Sequence, residues 1–282
     1  MFKNEILCFC ISKIILLVDL MGFFDKFKKK DDADSLTFKG VKLTKEGKYE
    51  ESLEFFDKAL DLNPNKFQAW QIKGISLDEL GRYEEALEAY DEALKIDPDS
   101  ILIFRLKGEI FIKLERYQEL SNCCDKALEI DSDNVDIVVS KALSLRMLKN
   151  HKEALKYYDK AIEINRCTQT LFNKGLFLVD TENYVEALEY YDDALELDPN
   201  WTVTILTVKG IALEKLEKYE EALESFDEAL ELDSNYVGAW YQKGFTFNSF
   251  GKTEESLKCL DKALKLDPEH YLAKKLKKEI GK

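Results

Sequence analysis

The sequence predicts an all-α protein built of tandem helix pairs. Three observations carry that prediction. The stretch GRYEEALEAYDEALKIDP (Gly81–Pro98) returns as ENYVEALEYYDDALELDP (Glu182–Pro199) and as EKYEEALESFDEALELDS (Glu217–Ser234). The period is 34, and seven units fill residues 33–66, 67–100, 101–134, 135–167, 168–202, 203–236 and 237–270. Punctuation falls at fixed places: all four prolines (Pro64, Pro98, Pro199, Pro268) take place 32 of their units, and Gly40, Gly74, Gly108, Gly175, Gly210 and Gly244 take place 8, where the fourth unit has Ala142. No alternating apolar pattern of the kind that marks strands interrupts the repeats.

Within a unit, places 4, 8 and 11 (Trp70, Gly74, Leu77 in the second) fall at helical spacing and form one buried stripe. Places 17, 20, 24 and 27 (Tyr83, Ala86, Tyr90, Ala93) form the stripe of a second helix. Small residues at 8, 20 and 27 let helices approach closely, and aromatics at 4, 17 and 24 fill the space around them. Place 27 is alanine in all seven units. The Asp-Pro step at places 31 and 32 ends the second helix, because proline cannot continue the ladder and restricts the residue before it.

With a large apolar residue at place 4, Gly at 8, Tyr at 17, Ala at 20 and 27, an aromatic at 24 and Pro at 32, residues 33–270 resemble the tetratricopeptide repeat (TPR) family. The resemblance implies a right-handed α-solenoid, a superhelix of helix-turn-helix repeats with a concave groove. The third unit departs most, with Leu120 at place 20, Cys124 at 24 and Ser132 at 32. Residues 271–282 read as a C-terminal capping helix, with Leu272, Leu276 and Ile280 as its apolar stripe and its lysines facing water.

Residues 1–32 form a leader of different character. Ile6–Leu20 is apolar except for Ser12, Lys13 and Asp19, and is short of the ~20 clean residues of a spanning helix. It also lacks the uninterrupted apolar core and small-residue cleavage site of a signal peptide. Met21 opens a segment that reads as an ordinary start of its own. Met21–Lys30 sets Phe23, Phe24 and Phe27 among Lys26, Lys28, Lys29 and Lys30. That composition suits a helix lying on an anionic membrane surface through residues 1–30. Equally, the phenylalanines suit docking on the first repeat.

Composition narrows the function. With 55 acidic and 41 basic side chains the net charge is −14, which argues against nucleic acid as a partner. His151 and His270 are the only histidines, and the six cysteines show no C-x-x-C pair, so the sequence offers no zinc site and no disulfide framework. Unpaired thiols suit a reducing, cytoplasmic setting. There is no phosphate-binding glycine loop and too little chain outside the repeats for a catalytic domain. The expectation is a non-enzymatic protein without metal or cofactor.

Two patterns remain. Place 7 is lysine and place 25 aspartate in all seven units, and the aspartate of one unit is expected to pair with the lysine of the next, as in Asp91–Lys107. The first-helix places opposite the buried stripe are those that, by the resemblance, line the groove. The candidates there are Gln71, Ile75, Arg105, Leu143, Phe172, Leu176, Thr207, Ile211, Tyr241 and Phe245. The expected partner is an extended peptide or amphipathic helix of another protein, anchored by aromatics toward units five to seven. A clamp for acidic C-terminal tails is disfavoured, because Arg105 stands alone with Glu109 one turn on.

Overall fold

A computed structural model describes residues 32–281, which form seven helix pairs and a fifteenth helix. The pairs are α1 (Ala33–Lys45) with α2 (Tyr49–Leu62), α3 (Phe67–Glu79) with α4 (Tyr83–Ile96), α5 (Ile101–Lys113) with α6 (Tyr117–Ile130), and α7 (Val135–Met147) with α8 (His151–Ile164). Then come α9 (Thr168–Asp180) with α10 (Tyr184–Leu197), α11 (Thr202–Lys215) with α12 (Tyr219–Leu232), α13 (Val237–Ser249) with α14 (Thr253–Leu266), and last α15 (Tyr271–Ile280). Among the described residues a single 3-10 turn, Pro199–Trp201, sits where the fifth unit carries its extra residue. The chain divides into two compact units after Leu148.

In both units the core is built by an aromatic at place 24 lying beneath the glycine at place 8. Phe56, Tyr90, Tyr191 and Phe226 are fully buried. A Cβ on Gly74 would stand 2.3 Å from the Tyr90 ring, and one on Gly210 2.5 Å from Phe226, so these glycines exist for close approach. The third repeat solves the same problem differently. Cys124 replaces the aromatic, and buried Leu120 fills the space from place 20, leaving its Cδ1 3.2 Å from a Cβ on Gly108. The large and small residues have exchanged places at conserved volume.

Each first helix ends through a residue in the left-handed region at place 15: Gly47, Gly81 and Gly251, but also Glu115, Lys149, Glu182 and Glu217. The next amide then reaches back five residues, as in Arg82 to the Leu77 carbonyl and Lys218 to Leu213. This is the Schellman closure of an α-helix.

The expected ladder between repeats is present within both units. Lys73 donates to Asp57, Lys141 to Asp125 and Lys174 to Asp159, each at 2.6 Å, and Lys209 reaches Asp192 at 2.5 Å. Lys107–Asp91 and Lys243–Asp227 make the same contact. Burial alone would pull the Lys174 pKa down, but hydrogen bonds to Asp159 and Tyr190 outweigh it and hold the ammonium above its ordinary value. The lysine stems are largely covered while the carboxylates stay open to solvent, so each pair contributes little energy and fixes register.

Helix α15 continues this pattern further than its sequence suggests. Counting on from Val237 by one period makes Tyr271 place 1 and Lys277 place 7 of an eighth unit, and Lys277 pairs with Asp261 at 2.5 Å. The helix is therefore the first half of a repeat. Ala273 and Leu276 are buried against Leu260 and Ala263, with Leu272 and Ile280 at the margin. His270 caps it by accepting the Ala273 amide at Nδ1, 3.2 Å away. Its lysines do not all face water alone: Lys274 also pairs, with Glu269.

Candidate protein-binding face

The first helices of neighbouring repeats touch one another directly, α1 with α3 and α3 with α5 in the first unit, α9 with α11 and α11 with α13 in the second. That contact decides the fate of places 5 and 9. In the first unit Gln71 and Ile75 are buried, as are Thr37, Val41 and Val139, whereas Arg105 and Leu143 are half-buried. In the second unit Phe172, Leu176, Thr207 and Tyr241 are buried, and Ile211 and Phe245 are half-buried. Six of the ten candidates are therefore closed to a partner in this structure, contrary to their reading as open lining. The reason is geometric: a helix flanked by two like helices and backed by its own partner has only a narrow strip left for solvent.

The buried aromatics have internal work. Phe172, only 1% exposed, meets Trp201 edge-on at 5.4 Å and Tyr191 at 6.3 Å. Tyr241 packs on His270 at 5.1 Å and Phe245 at 6.4 Å, and burial raises its phenol pKa. Trp201 was not a candidate, although the extra residue of the fifth unit is the sequence signal that could have found it. Thr207 turns its hydroxyl back to the Val203 carbonyl at 2.8 Å.

What stays accessible differs between the units. In the first, the strip is charged. Arg105 faces Asp136 of the next first helix at 3.8 Å rather than Glu109 on its own helix. Lys113 donates to the buried Asp78 at 2.6 Å and lies 5.5 Å over the Tyr83 ring. In the second, the strip is apolar with a cationic edge: Ile211 on α11, Phe245 on α13, and Lys215 with its ammonium 5.6 Å from the Phe245 ring. Lys215 was missed because place 13 carries no recurring residue type.

Among the described residues no cluster of three His, Cys, Asp or Glu side chains is placed to hold a metal ion, and no helix is long and apolar enough to cross a membrane. The membrane reading of residues 1–30 lies outside the described residues. Burial pushes the Cys123 and Cys259 thiols up to about 11 and Cys124 higher still, the opposite of what a nucleophile needs.

Family models of the tetratricopeptide repeat match residues 42–101, 106–134, 135–166, 166–235 and 237–270. The chain belongs to the tetratricopeptide repeat family. Its fold is the all-α TPR solenoid. A tetratricopeptide repeat protein from Parabacteroides merdae superposes with a TM-score of 0.75 at 16% identity, over 89% of this chain and 99% of that one. The Cut9–Hcn1 hetero-tetramer of the APC/C gives 0.68 at 15% identity, over 96% of this chain and 52% of that one. Pseudomonas aeruginosa pilF gives 0.59 at 19% identity, over 76% of this chain and 97% of that one. At such identities the likeness is one of fold. No match to a curated protein was found. TPR proteins bind other proteins or peptides, and a protein-interaction scaffold is the general role of this fold.

Proposed function

We propose that this TPR protein is a non-enzymatic scaffold holding an extended segment or amphipathic helix of another protein along its first-helix face. The observation that carries the reading is the half-buried apolar strip at place 9 of α11 and α13, Ile211 and Phe245, with Lys215 beside it. Apolar side chains left partly open on a folded surface, rimmed by charge, favour an interacting partner. Phe172, Leu176, Thr207 and Tyr241 support the strip from beneath by holding the first helices at fixed spacing.

Crosslinking in the native cell identifies the bound protein, and its affinity for variants then tests the site. Ile211→Ala with Phe245→Ala should weaken binding at least tenfold, about 1.4 kcal/mol or more, with helicity retained. Arg105→Ala should do far less. Equal effects, or no loss from the first pair, would defeat this assignment.

A further inference from the structure

The third repeat leaves open a space that two other repeats fill with an indole. Leu94 and Pro98 of the second repeat face Phe104, Phe111, Cys123 and Ile130 of the third across a cleft of about 660 Å³. That volume is in the range of small-ligand pockets. The cleft lies in the first unit and shares no residue with the strip of Ile211 and Phe245. The third repeat lines it from places 4, 7, 11 and 23 among others, not from places 5 and 9.

Repeats two and seven show what fits there. Trp70 and Trp240 stand at place 4, each half-buried. Their indole N–H groups donate six residues back, to the place-32 carbonyls of Pro64 at 2.8 Å and Ser234 at 2.9 Å. The place-7 lysine of the same helix lies over each ring, Lys73 at 5.2 Å and Lys243 at 5.9 Å from the centroid. Both repeats carry a small buried residue at place 23, Ala89 and Cys259. The third repeat keeps the small residue, as Cys123, and the place-32 carbonyl, on Pro98. What it lacks is the indole, since Phe104 is smaller and has no side-chain N–H to give. Lys107 lies over the Phe111 ring, at 6.0 Å.

We propose that this cleft receives a tryptophan side chain from a partner protein. The indole N–H donates to the Pro98 carbonyl, as Trp70 does to Pro64, and the ring is buried among Leu94, Phe104 and Cys123. Tryptophan combines a large apolar area with one donor, which matches apolar walls and one acceptor. The charges at the rim select its neighbour. Lys107 is taken by Asp91, Lys95 by Glu92 and Glu119 by Arg116. That leaves Asp99 and Glu129 against Lys126, on a second repeat with nine acidic and three basic side chains. A lysine or arginine next to the tryptophan complements this rim.

The probe is acetyl-Lys-Trp-Lys-amide, titrated into the full chain and followed by amide chemical shifts. Saturable shifts should appear at Leu94, Asp99, Phe104 and Cys123. Acetyl-Lys-Phe-Lys-amide, without the indole donor, should bind about fivefold more weakly. Phe104→Trp should fill the cleft from within, abolish those shifts and raise the melting temperature. Should that variant fail to fold, Asp99→Lys with Glu129→Lys gives a separate test and should weaken binding about tenfold. Equal binding of the two peptides, or shifts that survive in folded Phe104→Trp, would overturn the proposal. So would a lack of saturation, which marks diffuse attraction to an acidic surface. Free indole binding as tightly as the tryptophan peptide would also overturn it, since the ligand would then be a small molecule rather than a protein.

Discussion

Gly74 and Gly108 occupy the same place in successive repeats, yet they answer to different neighbours. Opposite Gly74 the Tyr90 ring is rigid and fully buried, so Gly74→Ala should destabilise by ~1–2 kcal/mol even after the gain in helix propensity, and lower the melting temperature by several degrees. Opposite Gly108 the nearest atom is a leucine methyl that can move a few tenths of an ångström. Gly108→Ala should therefore be neutral or raise stability by up to ~1 kcal/mol. Equal losses at both sites would refute the account of place 24. The buried thiols supply a pH-dependent prediction. Because burial raises the folded-state pKa of Cys123, Cys124 and Cys259, the folded chain keeps protons that the unfolded chain releases. Their contribution is complete below about pH 8.5 and is lost as pH rises toward 11. Urea midpoints should stay level to about that pH and then fall, with a shallower fall when the three are alanine. Among the described cysteines, half-buried Cys167 should react first with a thiol reagent.

At the scale of the helix, the place-15 turn is where the chain tolerates strain. Glu217 sits at φ 60 with a side chain that a left-handed conformation disfavours, whereas Gly81 and Gly251 take the same turn freely. Glu217→Gly should stabilise by ~0.5–1 kcal/mol and Gly81→Ala should cost about the same, both read from denaturant midpoints. Helix identity and order were legible because the period repeats seven times, so the proline stop and the invariant alanine reinforce one another. The accessible face was not. Apolar residues run around the first helices, as buried Ala69, Ile72, Ile75 and Leu77 do on α3, so a helical wheel separates core from groove only where one side is wet. Flanking by like helices is a tertiary fact that spacing within one helix does not encode. This is why Phe172 and Tyr241 read as anchors and fold as packing, while Lys215 was passed over.

For the molecule as a whole, stability comes from stacking. No recurring place depends on a cysteine or metal-ligating cluster, so neither reductant nor chelator should shift the melting curve. The lysine–aspartate contact has a further consequence once its spacing is compared along the chain. Asp227 precedes Lys243 by 16 positions, and Asp261 precedes Lys277 by the same 16. Excising residues 237–270 would therefore set Lys277 opposite Asp227 at native spacing, with α15 delivered intact onto α12. The shortened chain should melt cooperatively with unchanged helicity per residue, and should lose the proposed partner because Phe245 departs with the excised repeat. Joints that share the 16-residue spacing are interchangeable, so a gene for such a chain can gain or shed a whole 34-residue repeat at them in one recombination without rewriting its neighbours.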